Sequence, residues 1–332
     1  MPVAVLGAGS FGTCLAVLAA ERHDVVLWSR SAELADAINR ERRNPRYLSE
    51  VELPPGIRAS ADLAETLHGR ELVICAVPSH GVRDVMGAAS AHLAPGAILV
   101  STVKGIEMGT CLTMDKVLMQ VLDPAHHARL VFLSGPSFAK EVAARKPTAV
   151  TLACAQESYA ISAQESLSCP WFRCYSHDDV VGVELGGALK NVIALAVGMC
   201  DGLEMGLNAR AGVMTRGLHE ITRLGVEMGA NPLTFLGLSG VGDLILTCTG
   251  DLSRNRSVGL ALGRGRPLDE ILGDMSQVAE GVRTTYAACA LAEKMGVEMP
   301  IAQMVRAVLD GRVRAADVKE LIMSRQLRSE LE

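Results

Sequence analysis

Two lysines, one glycine-rich turn and one short polar loop carry the residue types that could do chemistry in this chain. Lys190 lies in the stretch 179–202, DVVGVELGGALKNVIALAVGMCDG, which reads as one helix with Asp178 as its N-cap and Asp201-Gly202 as its stop. From Val183 to Cys200 the stretch is apolar almost all round, which predicts burial on every side. Lys190 shares a helix face with Gly186, Gly187, Ala194 and Gly198. A helix-interior Gly costs roughly 1 kcal/mol against Ala, so their repetition suggests close approach by another group. A buried lysine loses hydration, which disfavours its charged form and lowers its pKa towards values useful for moving protons. The alternative is a lysine that runs its stem along the core and reaches the surface or a carboxylate.

The glycine-rich turn follows Val3–Leu6 at once, as GAGSFG with glycines at 7, 9 and 12, and Thr13 to Ala20 continues as an apolar helix. Strand, turn and helix in that order are the context in which GxGxxG binds a dinucleotide. Gly7 permits the tight turn, Gly9 lets the backbone approach a pyrophosphate, and Gly12 allows close helix–strand packing. The next strand, Asp24 to Trp28, ends in Ser29-Arg30, where an NAD-preferring site would usually place Asp or Glu. A hydroxyl and a guanidinium suit a 2′-phosphate better, so NADPH/NADP is the expected preference, with NADH/NAD possible. Arg40, Arg42, Arg43 and Arg46 read as a solvated helix end, the alternative being added positive potential near the cofactor.

The elements that must position these groups alternate. Leu72 to Val77 ends in Pro78-Ser79-His80, and Ala97 to Val103 ends in Lys104-Gly105. Leu130 to Leu133 precedes SGPSFAKE, and Ala149 to Ala153 continues the pattern. Such continuous apolar runs fit strands buried on both faces of a parallel sheet, and ligands bind where such strands end. Lys104 is therefore a site candidate, against the reading of an exposed loop lysine. After the Lys190 helix no strand pattern recurs. Asn208 is expected to cap a helix through Met228, SGVGDL at 239–244 to start another, and Val258 to Leu262 to be helical behind the polar loop DLSRNRS. Ser253, Arg254 and Asn255 thus sit at a helix N-terminus, where N–H groups and a guanidinium can bind phosphate. The competing reading is a Ser/Asn cap with solvated arginines. Further helices are expected near 268–273, 281–295, 300–310 and 317–325.

The expected architecture is α/β: a Rossmann-type doubly wound dinucleotide-binding domain over 1–180, then an all-helical substrate domain over 181–332. At 332 residues the chain can bury two cores. Its hydrophobic content of 49 % and mean hydropathy of +0.26 raise a membrane question. The uninterrupted apolar run near Lys190, Val192 to Cys200, falls well short of the roughly 20 residues that span a bilayer. The chain opens on a strand-like MPVAVLG with no room for a signal peptide. Nine single cysteines without CxxC argue for a reducing compartment and against disulfides or a metal site. A net charge of −5 gives no reason to expect nucleic acid. These features describe a cytoplasmic globular protein.

GAGSFGT, AVPSH, Lys104-Gly105-Ile106-Glu107, SGPSFAKEV, ELGGALKN…GMCDG, NARAG, GVGDL…TCTGDLSRNR and AEG, in order from Val3 to about Tyr286, resemble the glycerol-3-phosphate dehydrogenases [NAD(P)+] of the bacterial biosynthetic type. The resemblance implies hydride transfer between a nicotinamide cofactor and dihydroxyacetone phosphate, giving sn-glycerol 3-phosphate for phospholipid synthesis, by a homodimer. It implies Lys190 as the proton donor and acceptor, Lys104 touching substrate and cofactor, and Asp243 and Thr247 supporting the reacting carbon. Gly135, Ser137, Ser253, Arg254 and Asn255 match substrate positions, Arg254 and Asn255 those on the phosphate. Ser10, Phe11, Arg30, Ala139, Arg254, Val278 and Glu280 match cofactor positions. The competing classes are another Rossmann-plus-helical dehydrogenase of hydroxyacids or hydroxyacyl thioesters, and a non-catalytic NADPH sensor. The former would favour a His/Glu pair or lack the SRN loop, and the latter would not need both lysines.

Overall fold

Segments four to six residues long, most of them rich in Val, Leu and Ile, form the strands of one eight-stranded sheet in the computed structural model, which describes residues 1–275, 279–324, 326, 327, 329 and 330. The strands are β1 (Val3–Leu6), β2 (Val25–Trp28), β3 (Ile57–Ser60), β4 (Leu72–Cys75), β5 (Ile98–Ser101), β6 (Leu130–Ser134), β7 (Thr148–Ala153) and β8 (Phe172–His177). Their order is β3-β2-β1-β4-β5-β6-β7-β8, so the chain reverses its direction of winding between β1 and β4. That switch point is where an open α/β sheet leaves a crevice at its carboxyl ends. β1, β4 and β5 are fully buried, as their unbroken apolar runs require. Seven helices accompany the strands: α1 (Ser10–Ala19), α2 (Ala32–Glu41), α3 (Leu63–Leu67), α4 (Val82–Ser90), α5 (Met114–Val121), α6 (Ala139–Ala143) and α7 (Glu157–Leu167).

Two features of the sheet depart from the sequence reading. β7 runs antiparallel to β6, with Ser134 opposite Thr151, and then pairs in parallel with β8. Strand direction leaves no mark in an apolar run, so the parallel expectation fails there. β3 and β8, the two edges, went unforeseen. Phe172 and Cys174 point inward while Arg173 and Tyr175 are exposed, the alternation of a half-covered edge rather than a continuous run.

Beyond β8 the described chain is helical: α8 (Val180–Gly202), α9 (Gly206–Glu227), α10 (Asp243–Thr249), α11 (Arg254–Gly263), α12 (Leu268–Gly273), α13 (Glu280–Met295), α14 (Pro300–Leu309) and α15 (Val318–Met323). α8 is the axis of this part, buried without a break from Gly182 to Cys200. Leu185, Leu189, Val192, Ile193, Leu195 and Val197 join one core with residues of α9, α10, α11, α13 and α14. Each such side chain contributes about 1.5–3 kcal/mol on burial. By length and composition α8 could cross a bilayer, but 83 % of its most apolar window is buried inside the protein, as in a core helix.

Helix starts are corrected by one to four residues. The N-cap of α8 is Asp179 rather than Asp178: its Oδ1 accepts from Gly182 N at 2.8 Å, while Oδ2 accepts from Asn231 N and Thr234 Oγ1. α9 begins at Gly206, two residues before Asn208, and residues 238–242 form a π-turn before α10. α11 begins at Arg254 rather than Val258, with Ser253 as N-cap accepting from Arg256 N. Arg42 is no solvated helix end either. It closes α2 in the left-handed conformation and donates to the carbonyls of Leu53, Pro54 and Ile57.

The glycines of α8 meet protein. A Cβ at Gly186 would come within 2.6 Å of Ser239 O, and one at Gly187 within 2.5 Å of Ser134 Oγ. Gly198 and Gly202 face α11, whose Gly259 and Gly263 return the contact, and a Cβ at any of the four would overlap backbone of the other helix. The close approach expected around Lys190 is therefore packing by protein: β6 and the turn before α10 at Gly187 and Gly186, and α11 at Gly198 and Gly202.

Candidate active site

Lys190 does not reach the surface. It is 6 % exposed, and its Nζ donates to Asp243 Oδ1 at 2.6 Å and to Thr247 Oγ1 at 2.6 Å. Asp243 and Thr247 stand one turn apart on α10, both buried, so α10 presents them as a pair to α8. Lys104, in the loop after β5, donates from Nζ to the other oxygen, Asp243 Oδ2, at 2.6 Å and to Gly135 O at 3.1 Å. One carboxylate thus joins a lysine of the sheet part to a lysine of the helical part. Burial lowers the Lys190 pKa to about 8; Asp243 opposes that shift and the like charge of Lys104 adds to it. Burial alone would raise the Asp243 carboxyl, but Lys104 and Lys190 outweigh it and hold the group below its ordinary range.

An ammonium has three N–H bonds. Each lysine commits two, to Asp243 and to either Thr247 or Gly135, and keeps one for a third partner. Two ammonium groups, one buried and one half-buried, around one carboxylate leave a net positive site, which suits an anionic substrate and an oxygen that gains charge.

The loop after β6 supplies Gly135, with φ of +137°, a conformation that L side chains rarely adopt, and Val150 backbone 3.0 Å from where a Cβ would stand. Ser137 Oγ donates to Gly135 O at 2.9 Å, and Ala139 opens α6. Gly135 therefore anchors Lys104 and Ser137 through one carbonyl.

At the start of α11 the two arginines differ. Arg256 is engaged by Asp201 at 2.8 Å and Asp251 at 3.0 Å, while Arg254 is exposed as a residue. Protein crowding its guanidinium lowers the Arg254 pKa, with Glu280 acting against the shift. Asn255 is buried, and both ends of its amide are occupied. Nδ2 donates to Asn191 Oδ1 at 2.9 Å and Oδ1 accepts from Gly281 N at 2.9 Å. That leaves one N–H of Asn255 for a phosphate, so its contribution is narrower than expected. Asn191, beside Lys190, holds Asn255 and was not among the site candidates read from the sequence. Its signal was a second polar side chain in the same apolar helix.

On the sheet side, Gly7 has φ of +114° and lies against Ala76 O at the end of β4, and a Cβ at Gly12 would overlap Gly7 O. At Gly9 a Cβ would meet nothing within 4 Å, so the open space is where a pyrophosphate is expected. Ser10 opens α1, whose first turn holds no acidic residue, and Phe11 packs half-buried on the sheet core. Arg30 is exposed beyond β2. The neighbouring Ser29 is buried and its hydroxyl accepts from Ser31 N at 3.2 Å, which leaves Arg30 alone to support the 2′-phosphate reading. Glu280, at the start of α13, accepts from Ser79 N at 3.1 Å and Ser79 Oγ at 2.5 Å. The AVPSH turn thereby contributes Ser79, a partner that sequence reasoning left without a role. Val278 lies outside the described residues.

Two family models cover this arrangement: NAD-dependent glycerol-3-phosphate dehydrogenase N-terminus over residues 2–160 and C-terminus over residues 179–320. The chain is 52 % identical to glycerol-3-phosphate dehydrogenase [NAD(P)+] of Myxococcus xanthus (strain DK1622), over 98 % of each chain. It is 50 % identical to the protein of the same name from Geobacter sp. (strain M21), over 99 % of this chain and 98 % of that one. The crystal structure of glycerol-3-phosphate dehydrogenase from Coxiella burnetii superposes with a TM-score of 0.92 at 37 % identity, over 98 % of this chain and 99 % of that one. The class that fold and site define is the dinucleotide-dependent oxidoreductase with a helical substrate domain. Within it, the chain belongs to the NAD-dependent glycerol-3-phosphate dehydrogenase family.

Proposed function

We propose that this protein reduces dihydroxyacetone phosphate to sn-glycerol 3-phosphate, for phospholipid synthesis, with Lys190 as the group that moves the proton. The reaction and the use of NAD or NADP follow from the family. The single observation that carries the mechanism is Asp243 holding Lys190 and Lys104 by separate oxygens.

The residues present fit a dinucleotide: an open position at Gly9, the uncapped start of α1, and Arg30 at the end of β2. When bound, the cofactor supplies the hydride. The chain's own groups do the rest. Lys104 directs its remaining N–H at the ketone oxygen and stabilises charge developing there. Lys190 delivers the proton in reduction and, once neutral, presents a lone pair that recovers it in oxidation. Thr247 accepts from Lys190, which points the third N–H of that ammonium away from α10. Arg254, the start of α11 and the remaining Asn255 N–H receive the phosphate, so binding far from the carbonyl holds the carbonyl in place. Gly135 and Ser137 border the substrate, while Ser10, Phe11, Ala139 and Glu280 border the cofactor.

NADPH is the preferred cofactor on this reading because Arg30 offers a guanidinium where a ribose-binding carboxylate would repel a 2′-phosphate. Division of the chain at 180 into a cofactor domain and a substrate domain, a cytoplasmic location and a homodimer complete the proposal. The deciding assay follows the loss of NADPH or NADH absorbance with dihydroxyacetone phosphate. Turnover is expected with both, faster per micromolar with NADPH. Equal or greater kcat/KM with NADH would remove the role given to Arg30, and no turnover with either would remove the assigned substrate.

A further inference from the structure

Asn44 lies in the excursion between α2 and β3, outside every group considered so far, yet it is completely buried. Its amide makes four hydrogen bonds. Nδ2 donates to Ala8 O at 2.9 Å and to Thr13 Oγ1 at 2.7 Å. Oδ1 accepts from Arg46 N at 3.3 Å and Tyr47 N at 3.0 Å. Ala8 belongs to the glycine-rich turn and Thr13 to the first turns of α1. The partners fix which way the amide faces, since a carbonyl can only accept and a backbone N–H can only donate.

The Ala8 carbonyl and the Gly9 N–H belong to one peptide unit. No cis peptide occurs among the described residues, so that unit is trans and planar, and its C=O and N–H point in opposite directions. A side chain that draws the Ala8 oxygen to one side therefore turns the Gly9 N–H to the other. Of the three glycines in the turn, Gly9 is the one at which an added Cβ meets nothing within 4 Å. We infer that Asn44 is a positioning residue, aiming the Gly9 amide into the space a cofactor pyrophosphate would take. The inference rests on the glycine turn being the cofactor site. The other end of Asn44 shapes the excursion, whose Leu48 and Leu53 are buried in the sheet core and whose Glu50 pairs with Lys140 at 3.3 Å. That excursion gives the side chain a fixed base from which to hold the turn.

Asn44→Asp separates the two ends of the amide, because it keeps an acceptor for Arg46 and Tyr47 and removes both donors. The NADPH dissociation constant, read from quenching of protein fluorescence or from nucleotide fluorescence, should rise about tenfold or more. The KM for dihydroxyacetone phosphate at saturating NADPH should change less than twofold, and affinity is read on the folded fraction, because a carboxylate in this buried site lowers the melting temperature by itself. A purely structural role would lower the melting temperature and leave NADPH affinity in the folded fraction unchanged, which would overturn the inference. Gly9→Val is the companion, since its backbone is one that any residue adopts and the space around it is open. If Gly9→Val loses NADPH while Asn44→Asp keeps it, the turn is the cofactor site and Asn44 does not position it. If both keep full affinity, the turn itself has been misassigned and the inference falls with it. Should Asn44→Asp fail to fold, Asn44→Ser, which brings no charge into the core, carries the same comparison.

Discussion

Lys190 holds a proton whose affinity is a balance of burial and two charged neighbours, and each neighbour can be changed separately. Burial lowers the pKa to about 8, Lys104 adds to the lowering and Asp243 opposes it. Reduction needs the protonated form, so kcat/KM for dihydroxyacetone phosphate should fall as pH rises through about 8. Oxidation of sn-glycerol 3-phosphate needs the neutral form and should rise through the same value. Lys104→Met removes a lowering influence, so the inflection should move to higher pH even as the rate drops. Asp243→Asn removes the opposing charge and should move it lower. Lys190→Met should cut kcat by roughly 10²–10⁴ with the substrate still bound, as for loss of a general acid. An inflection unmoved by either neighbour would assign the proton to another group. Lys190 stood out as a charge in an apolar helix, and Lys104 as a lysine at a strand end, where ligands bind in open α/β sheets. Asn191 and Asn44 did not, because a buried amide shows its value only through partners distant in the chain.

Helix placement depends on what is missing from side chains as much as on what is present. α8 and α11 approach through Gly198, Gly202, Gly259 and Gly263, and this contact sets where Ser253, Arg254 and Asn255 stand relative to Lys190. Gly198→Ala should force the two helices apart at a cost of about 1–3 kcal/mol or more, as in other overpacked cores. It should also raise the KM for dihydroxyacetone phosphate, because on the proposed reading α11 carries the phosphate end of the site. Gly212→Ala makes the contrast. It sits within α9, where an added Cβ meets nothing within 4 Å, so the helix should gain about 0.5–1 kcal/mol. Thermal denaturation of the two variants tests both signs, and a stable Gly198→Ala enzyme with an unchanged KM would deny α11 its positioning role. The repeated glycines were visible in the sequence, but whether a ligand or a helix filled them was not. The same limit hid β3 and β8, whose alternating burial is weaker than the continuous runs of β1, β4 and β5.

Across the whole molecule the candidate reacting groups come from two parts of the chain that meet at polar contacts. Lys104 and Gly135 arrive from the ends of β5 and β6, Lys190 and Asp243 from α8 and α10, and Ser79 meets Glu280. The order in which elements follow one another was readable from apolar runs, but the pairing of Asp243 with both lysines, 139 and 53 residues away, was not. A substrate that spans these parts must be gripped at both ends for its carbonyl to lie between the lysines. On the proposed reading the phosphate end rests on α11 and the carbonyl end on Lys104 and Lys190, so the phosphate would do more than add affinity: it would hold the reacting carbon against both parts at once. Dihydroxyacetone, which has the same carbonyl and no phosphate, should therefore lose kcat as well as affinity, with kcat/KM lower by about 10³ or more. Adding inorganic phosphate should recover part of that loss, because the vacant grip on α11 can be filled separately. Arg254→Ala should erase most of the difference between the two substrates by slowing the phosphorylated one. If dihydroxyacetone lost only affinity, with kcat intact, the phosphate would act as a handle alone and the two parts would already stand in their reacting arrangement without it.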